Sequence, residues 1–165
     1  MTRWLSWRHR GSRGFTLIEV LIVIVVISIL AAILFMRIFS ARQRANETNA
    51  RGNLKELRRA VKVFENDMGA YPQRLADVCT KTAPDQGLLA SGTTVKVVTF
   101  SDDDKKDFKG PYYEYPAFSL PPNALTGGNE EGVDWIYLTD SPTTLGRVQN
   151  GAPGRDQTGV FYSEW

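Results

Sequence analysis

One carboxylate inside an apolar run is the first feature of this sequence that could do chemistry. Glu19 lies near the start of residues 15–36, which are otherwise almost entirely apolar. An ionised carboxylate in hydrocarbon costs about 3 kcal/mol even on lenient insertion scales, so such a residue usually has a charged partner or a function. Taken alone, Glu19 is best interpreted as a side chain that reaches to the membrane surface. The alternative, charge pairing with a partner at the same depth, depends on the residues that precede it.

The side chains that most enzymes use are scarce. The only histidine, His9, precedes the apolar run, and the only cysteine is Cys79. No catalytic Ser-His-Asp or Cys-His set can form after residue 9, and phosphate-binding glycine motifs and the HExxH motif are absent. We predict a structural protein and not an enzyme. Cys79 is predicted to be a buried or half-buried thiol, with an intersubunit disulfide as the less favoured alternative.

Residues 15–36 are long enough to cross a membrane. As a helix, 22 residues rise about 33 Å, against a bilayer core of about 30 Å. The run is preceded by Arg3, Arg8, Arg10 and Arg13. These arginines predict a cytoplasmic N-terminus, with the rest of the chain on the other side of the membrane. A secretory signal peptide is disfavoured, because its apolar core is shorter and Ala31-Ala32 is not a small-x-small cleavage site. A plain signal anchor is the other alternative.

The hexapeptide GFTLIE, residues 14–19, follows the basic leader and opens the apolar run. It resembles the N-terminal signature of type IV pilins and type II secretion pseudopilins. The resemblance implies that a prepilin peptidase cuts between Gly14 and Phe15 and methylates the new amino group of Phe15. It also implies that Glu19 pairs with the amino terminus of an incoming subunit. The alternative is that Glu19 pairs with the Phe15 amine of its own chain, four residues away.

The helix is predicted to continue beyond the apolar run as an amphipathic spine. Apolar residues recur at spacings of three and four: Ala50, Leu54, Leu57, Val61, Phe64 and Met68. Basic residues cover the other faces, and Glu47 is placed for a surface pair with Arg51. Gly69 and Pro72 end the pattern. The predicted organisation is a leader at 1–14, a transmembrane or filament-core helix at 15–36, a spine at 37–68 and a globular head at 69–165.

The head is predicted to contain a small antiparallel sheet. Its best strand candidates are residues 93–100 and 133–139, with a short third piece at residues 159–162. The aromatic side chains predicted to pack its core are Phe100, Tyr112, Phe118, Trp135, Tyr137 and Phe161. The fold class is α+β, and the resemblance makes it pilin-like, with one long N-terminal helix packed against a small antiparallel β-sheet head.

The charge is distributed unevenly along the chain. Without the four leader arginines, 16 basic residues face 18 acidic ones. The spine carries eight Lys and Arg against four Asp and Glu, whereas the head carries eight against 13. This balance does not predict a nucleic-acid partner. It does predict attraction between the spine of one subunit and the head of another, weakened by salt.

The turn that ends the spine favours the pseudopilins over the type IV pilins within this resemblance. Residues 69–72, GAYP, resemble the Gly-x-Tyr-Pro turn that leaves the long helix in the major pseudopilin of type II secretion. Type IV pilins commonly close a C-terminal loop with two cysteines, which one cysteine cannot do. The proline that this family often has just after the anchor is missing here. The resemblance implies a pseudopilus subunit that assembles from the inner membrane and drives export of folded proteins.

Two other functions remain open at this point. One is a minor type IV pilin for adhesion, motility or DNA uptake. The other is a membrane-anchored binding protein that never polymerises. The pseudopilin resemblance implies as partners other copies of the chain, other pseudopilins, a prepilin peptidase, an inner-membrane assembly platform and membrane lipid. It implies a single-pass protein of the bacterial inner membrane, with its head in the periplasm, that enters a filament after assembly.

Calcium is the one cofactor that the pseudopilin resemblance implies. Major pseudopilins bind calcium in the loop that closes the head. Asp134, Asp140 and Asp156 are the carboxylates here that could supply hard oxygen ligands beside backbone carbonyls. Their spacing in the sequence fits no calcium-binding loop that can be derived from ligand geometry alone. The alternative is that all three are solvated turn residues.

Overall fold

The computed structural model describes residues 14–165, apart from the side chain of Met36. Its main elements are helix α1 (Leu17–Met68) and strands β1 (Tyr71–Pro72), β2 (Gln86–Ser91), β3 (Thr94–Thr99), β4 (Trp135–Leu138) and β5 (Arg147–Asn150). Short 3-10 turns lie at Leu75–Cys79, Asp104–Asp107, Pro116–Phe118 and Tyr162–Glu164. The chain divides between Ala41 and Arg42 into two compact units. The predicted α+β class is confirmed.

The first unit consists, in its described part, of the start of helix α1 and the three residues before it. Thr16 caps the helix, because its hydroxyl accepts the N–H of Glu19 at 3.3 Å and its carbonyl accepts the N–H of Val20 at 3.3 Å. Apolar side chains are exposed along this unit, from Leu17 at 84% to Phe39 at 74%. Within residues 14–165, α1 is the one helix long and apolar enough to cross a membrane. Its apolar surface must therefore be covered by lipid or protein.

In the second unit, helix α1 ends at a glycine, as the sequence predicts. The N–H of Gly69 donates to the carbonyl of Glu65 at 2.8 Å, and Gly69 has a φ of +69°. Glycine adopts this left-handed conformation without the strain that a Cβ atom causes, which explains why it follows the last helical turn.

The head contains two antiparallel sheets. In the first, β2 lies between β1 and β3, with Tyr71 opposite Leu88. In the second, β4 pairs with β5, and Trp135 lies opposite Asn150. The burial of alternate residues in β4 shows that one face of this hairpin turns toward the core.

The sequence predicted two of the longer strands and missed others. Residues 93–100 and 133–139 contain β3 and β4, so those predictions are confirmed. The third prediction, residues 159–162, is wrong, because only a single bridge between Phe161 and Arg155 forms there before the last 3-10 turn. Strand β5 has the sequence RVQN, whose single apolar residue gives no readable alternation.

The predicted apolar stripe of the spine is confirmed as the centre of the core. All six stripe residues are buried. Phe64 is fully buried and meets three rings edge-on, with centroid distances of 6.4 Å to Phe100, 6.2 Å to Phe108 and 5.6 Å to Tyr112. Edge-on contacts of this kind add to the free energy gained from burial alone.

The buried aromatic residues of β4 also satisfy their polar atoms. The Trp135 Nε1–H donates to the carbonyl of Pro121 at 2.8 Å, and the Tyr137 hydroxyl donates to the carbonyl of Pro72 at 2.9 Å. Both bonds join β4 to segments distant in sequence, so these residues hold the head together through polar contacts as well as packing.

Two of the aromatic residues predicted for the core lie on the surface. Phe118 is 46% exposed and Phe161 is 41% exposed, so this part of the prediction is wrong. Each ring instead lies beneath a cation, with Lys81 Nζ at 4.7 Å from the Phe118 centroid and the Arg155 guanidinium at 3.5 Å from that of Phe161. Cation–π contact offsets part of the cost of exposing these rings.

Cys79 is a free, fully buried thiol, which confirms the simpler of its two interpretations. Burial, with a smaller contribution from the nearby Glu131 carboxylate, raises the pKa of the thiol to about 11. At neutral pH the side chain is therefore protonated and acts as a small apolar core residue.

Candidate functional site

The predicted processing segment lies just before helix α1. Gly14 and Phe15 have no regular secondary structure, and the Phe15 side chain is 80% exposed. Glu19 is exposed in the first turn of the helix. Residues 1–13 of the predicted leader lie outside the described residues. An exposed segment without regular secondary structure is accessible to a peptidase.

Sequence reasoning missed a local role for Thr16. The segment TLIE, residues 16–19, has the Ser/Thr-x-x-Glu pattern of a capping box, and the Thr16 hydroxyl forms its half of the box with the N–H of Glu19. Glu19 therefore occupies the third position of a helix, where a carboxylate is also favoured by the helix dipole. A capping role for the Glu19 side chain is thus the alternative that any test of Glu19 must separate from charge pairing.

The second unit carries a polar cluster that joins the C-terminus to helix α1. We call it the C-terminal clasp, and it comprises residues 156–165 together with Arg44, Glu47 and Arg51. The Arg44 side chain donates to Gln157 at 2.8 Å, and the Tyr162 hydroxyl donates to Glu47 at 3.3 Å. A third contact is the ion pair between Arg51 and Asp156.

Asp156 is the centre of the clasp. Its Oδ1 accepts the Thr158 hydroxyl at 2.6 Å, the Thr158 N–H at 2.8 Å and the Val160 N–H at 3.0 Å. Its Oδ2 accepts Trp165 Nε1–H at 3.2 Å and also meets Arg51. The pKa of Asp156 is lowered to about 2, mainly by the hydrogen bond from the Thr158 hydroxyl. The backbone N–H groups and Trp165 lower it further. The carboxylate is therefore ionised at neutral pH.

The clasp corrects the prediction of a surface pair between Glu47 and Arg51. Glu47 is buried and accepts hydrogen bonds from Tyr162 and from Gln43, the latter at 3.2 Å. Arg51 points to Asp156 and stacks over the Trp165 ring, 4.1 Å from its centroid. Both carboxylates are buried, and the folded head gives each a different partner, with Tyr162 on Glu47 and Arg51 on Asp156.

The three carboxylates predicted as calcium ligands lie in different surroundings. Asp134 is buried, and its Oδ2 accepts the N–H of Glu130 at 2.8 Å. Asp140 is exposed after β4, and Asp156 belongs to the clasp. Among residues 14–165, no group of three or more His, Cys, Asp or Glu side chains is placed to hold a metal ion. The residues present do not fit one calcium site built from these three.

The matches to known proteins lie mainly in the N-terminal part of the chain. Residues 9–35 match the family described as the prokaryotic N-terminal methylation motif. Over 67 residues the chain is 40% identical to the type IV wide pilus major component PilA4 of Thermus thermophilus, covering 41% of this chain and 51% of the relative. Over 65 residues it is 37% identical to type II secretion system core protein G of Pseudomonas aeruginosa, covering 39% and 46%. These matches span about half of each relative.

A longer match extends into the head. Core protein G of Vibrio cholerae is 28% identical over 140 residues, which cover 77% of this chain and 92% of the relative. No solved structure gives a significant match. The methylation motif, the long N-terminal helix and the small antiparallel sheets make the chain similar to pilin-like proteins. Among these it is similar to core protein G of type II secretion systems.

Processing at Gly14 can be tested directly. We expect the mature protein to begin at Phe15 with one methyl group on its amine, and intact-mass analysis of membranes will show it. Gly14→Val should block cleavage, because a branched side chain at the cut obstructs the bend that glycine allows. Gly11→Val, a matched change within the leader, should be processed normally. A mature chain that still begins at Met1 or begins near Ala32 would contradict the prediction.

Proposed function

We propose that this protein is a structural subunit of a type II secretion pseudopilus, which assembles from the inner membrane to drive export of folded proteins. The observation that carries the proposal is the methylation motif at the start of a helix whose first 20 or so residues expose apolar side chains on every side. Lipid can cover such a surface before assembly, and the same segments of neighbouring copies can cover it afterwards. The repeated similarity to core protein G supports this choice.

The proposal includes a location and partners. The apolar segment anchors the chain in the inner membrane, with the second unit in the periplasm. A prepilin peptidase removes the leader, and an assembly platform then lifts subunits from the membrane into the filament. Other pseudopilins join the same filament. The protein has no catalytic role in this proposal. Its copies pack against one another, leave the membrane and extend a filament that pushes the exported proteins.

One face of helix α1 supports contact with an acidic neighbour. Arg58 donates to the carbonyl of Val148 at 2.9 Å, but its Nη2 is buried and has no hydrogen-bond partner. Burial, and the nearby charge of Arg147, lower the pKa of Arg58. In the described part of the chain, neither Arg147 nor Lys55 forms an ion pair. Arg147 and Lys55 are therefore available to carboxylates of an adjacent subunit, whose head carries an excess of acidic residues.

A minor type IV pilin is the second candidate. It is favoured by the similarity to the major component of the Thermus thermophilus wide pilus and, over 60 residues at 42% identity, to the type IV major pilin PilA of Myxococcus xanthus. These matches concern the N-terminal part that pilins and pseudopilins share. The single, buried cysteine disfavours a head closed by a disulfide.

Deletion of the gene in the native bacterium distinguishes the two candidates. We expect folded exoproteins to accumulate in the periplasm, with twitching motility and DNA uptake unchanged, and an intact copy supplied in trans should restore export. Loss of motility or transformation with normal secretion would favour the minor pilin. A protein that neither cross-links to itself nor affects any of these processes would contradict both.

A further inference from the structure

We propose that Arg51 is the cation that closes the C-terminal loop of the head, in the place where the pseudopilin resemblance would put calcium. The guanidinium of helix α1 binds Asp156 and covers Trp165, so the last residues are held on the helix by a side chain of the same protein. The closed state of this chain then does not depend on a metal ion. This inference concerns the second unit alone and stands whether or not the protein enters a filament.

The first line of support is that Asp156 is already saturated. An ionised carboxylate offers about four lone-pair positions. Thr158 supplies two donors, and Val160, Trp165 and Arg51 supply one each. The Asp156 side chain is only 2% exposed. A calcium ion needs six to eight oxygen ligands in open geometry, and Asp156 could join such a set only by giving up these donors.

The second line of support is the fit of Arg51 to its two partners. Its guanidinium pairs with Asp156 while its Cζ atom lies 4.1 Å from the centroid of the Trp165 ring. Trp165 also donates to the same oxygen of Asp156, so cation, carboxylate and ring form one closed set. Arginine suits this arrangement better than a spherical ion, because it binds a carboxylate in a plane and stacks on an aromatic face.

The third line of support is that Asp134 already has partners within the head. Its Oδ2 accepts the N–H of Glu130, and its carboxylate lies so close to Gly128 that a Cβ atom there would clash with it. Its carbonyl is also occupied, accepting Asn123 Nδ2 at 2.8 Å and the N–H of Gly151 at 2.9 Å. These two oxygen atoms of Asp134 therefore serve as internal hydrogen-bond acceptors.

Thermal melting of the full chain in detergent micelles tests the proposal. The wild-type midpoint should be the same with 1 mM calcium chloride, a concentration on the order of the weaker protein calcium sites, as with EGTA. Arg51→Ala should lower the midpoint by on the order of 5 °C. It should also speed release of Trp165 by carboxypeptidase roughly 5- to 30-fold, because the tail opens more often.

Lys55→Ala is the matched control. Lys55 lies one helical turn after Arg51 and lines the same cavity of about 280 Å³ beside Trp165, but the ion pair of Asp156 is with Arg51. This variant should melt and be digested like the wild type. Arg51→Lys keeps the charge without the planar group, so a smaller shift in the same direction is expected even if the alanine variant does not fold.

Two results would overturn the proposal. One is a wild-type midpoint that rises when calcium replaces the chelator, since bound calcium would stabilise the folded state by mass action. The other is an Arg51→Ala protein whose midpoint and tail digestion match those of Lys55→Ala.

Discussion

Glu19→Ala is expected to stop or strongly slow filament assembly while leaving the chain inserted in the inner membrane. Insertion should even become easier, because a charge is removed from the anchor. The incoming amino terminus would then lose its partner in an apolar bundle. Leaving one member of a buried ion pair alone costs about 3–5 kcal/mol, which corresponds to roughly two to four orders of magnitude in subunit affinity. Membrane fractionation and electron microscopy of sheared filaments measure the two effects separately.

Glu19→Gln separates charge pairing from helix capping. Glutamine can take the place of glutamate in a capping box, but it carries no charge. If pairing is the function, Glu19→Gln should fail to assemble just as the alanine variant does. Ser28→Ala serves as the control, because it removes a polar group from the same apolar segment, where Ser28 bonds only to the carbonyl of Ile24 at 2.7 Å. Normal filaments from Glu19→Gln would show that capping is sufficient.

Phe64→Ala is expected to destabilise the head by about 3–5 kcal/mol, which is a large part of the stability of a small domain. Phe64 is completely buried, and its ring contacts those of Phe100, Phe108 and Tyr112. Truncation therefore removes transfer free energy and leaves a cavity among rings that cannot all move inward. Denaturant unfolding of the processed chain in micelles, followed by tryptophan fluorescence, reports on the head.

Val63→Ala is the matched control for Phe64→Ala. It changes the preceding residue of the same helix, whose side chain is 37% exposed. A surface change of this kind should alter the free energy of unfolding by no more than about 0.5 kcal/mol. Equal losses from both variants would mean that packing around Phe64 does not determine the stability of this region, since alanine is the better helix former at both positions.

The sequence by itself determined the features that depend on local pattern. The apolar run, the stripe from Ala50 to Met68 and the stop at Gly69 follow from helical periodicity and from the conformational freedom of glycine, which act over a few residues. The same is true of the motif around Gly14 and Phe15, where residue types at fixed spacing carry the resemblance.

Only the tertiary structure decided which distant groups meet. Arg51 and Asp156 are 105 residues apart, and nothing in the local pattern of either segment predicts that they pair. Both Glu47 and Asp156 are buried, so the choice of Asp156 as the partner of Arg51 depends on where the folded head places each carboxylate and its other donors. The exposure of Phe118 was also decided at this level, because the single long helix offers one apolar stripe and the rings nearest to Phe64 already fill it.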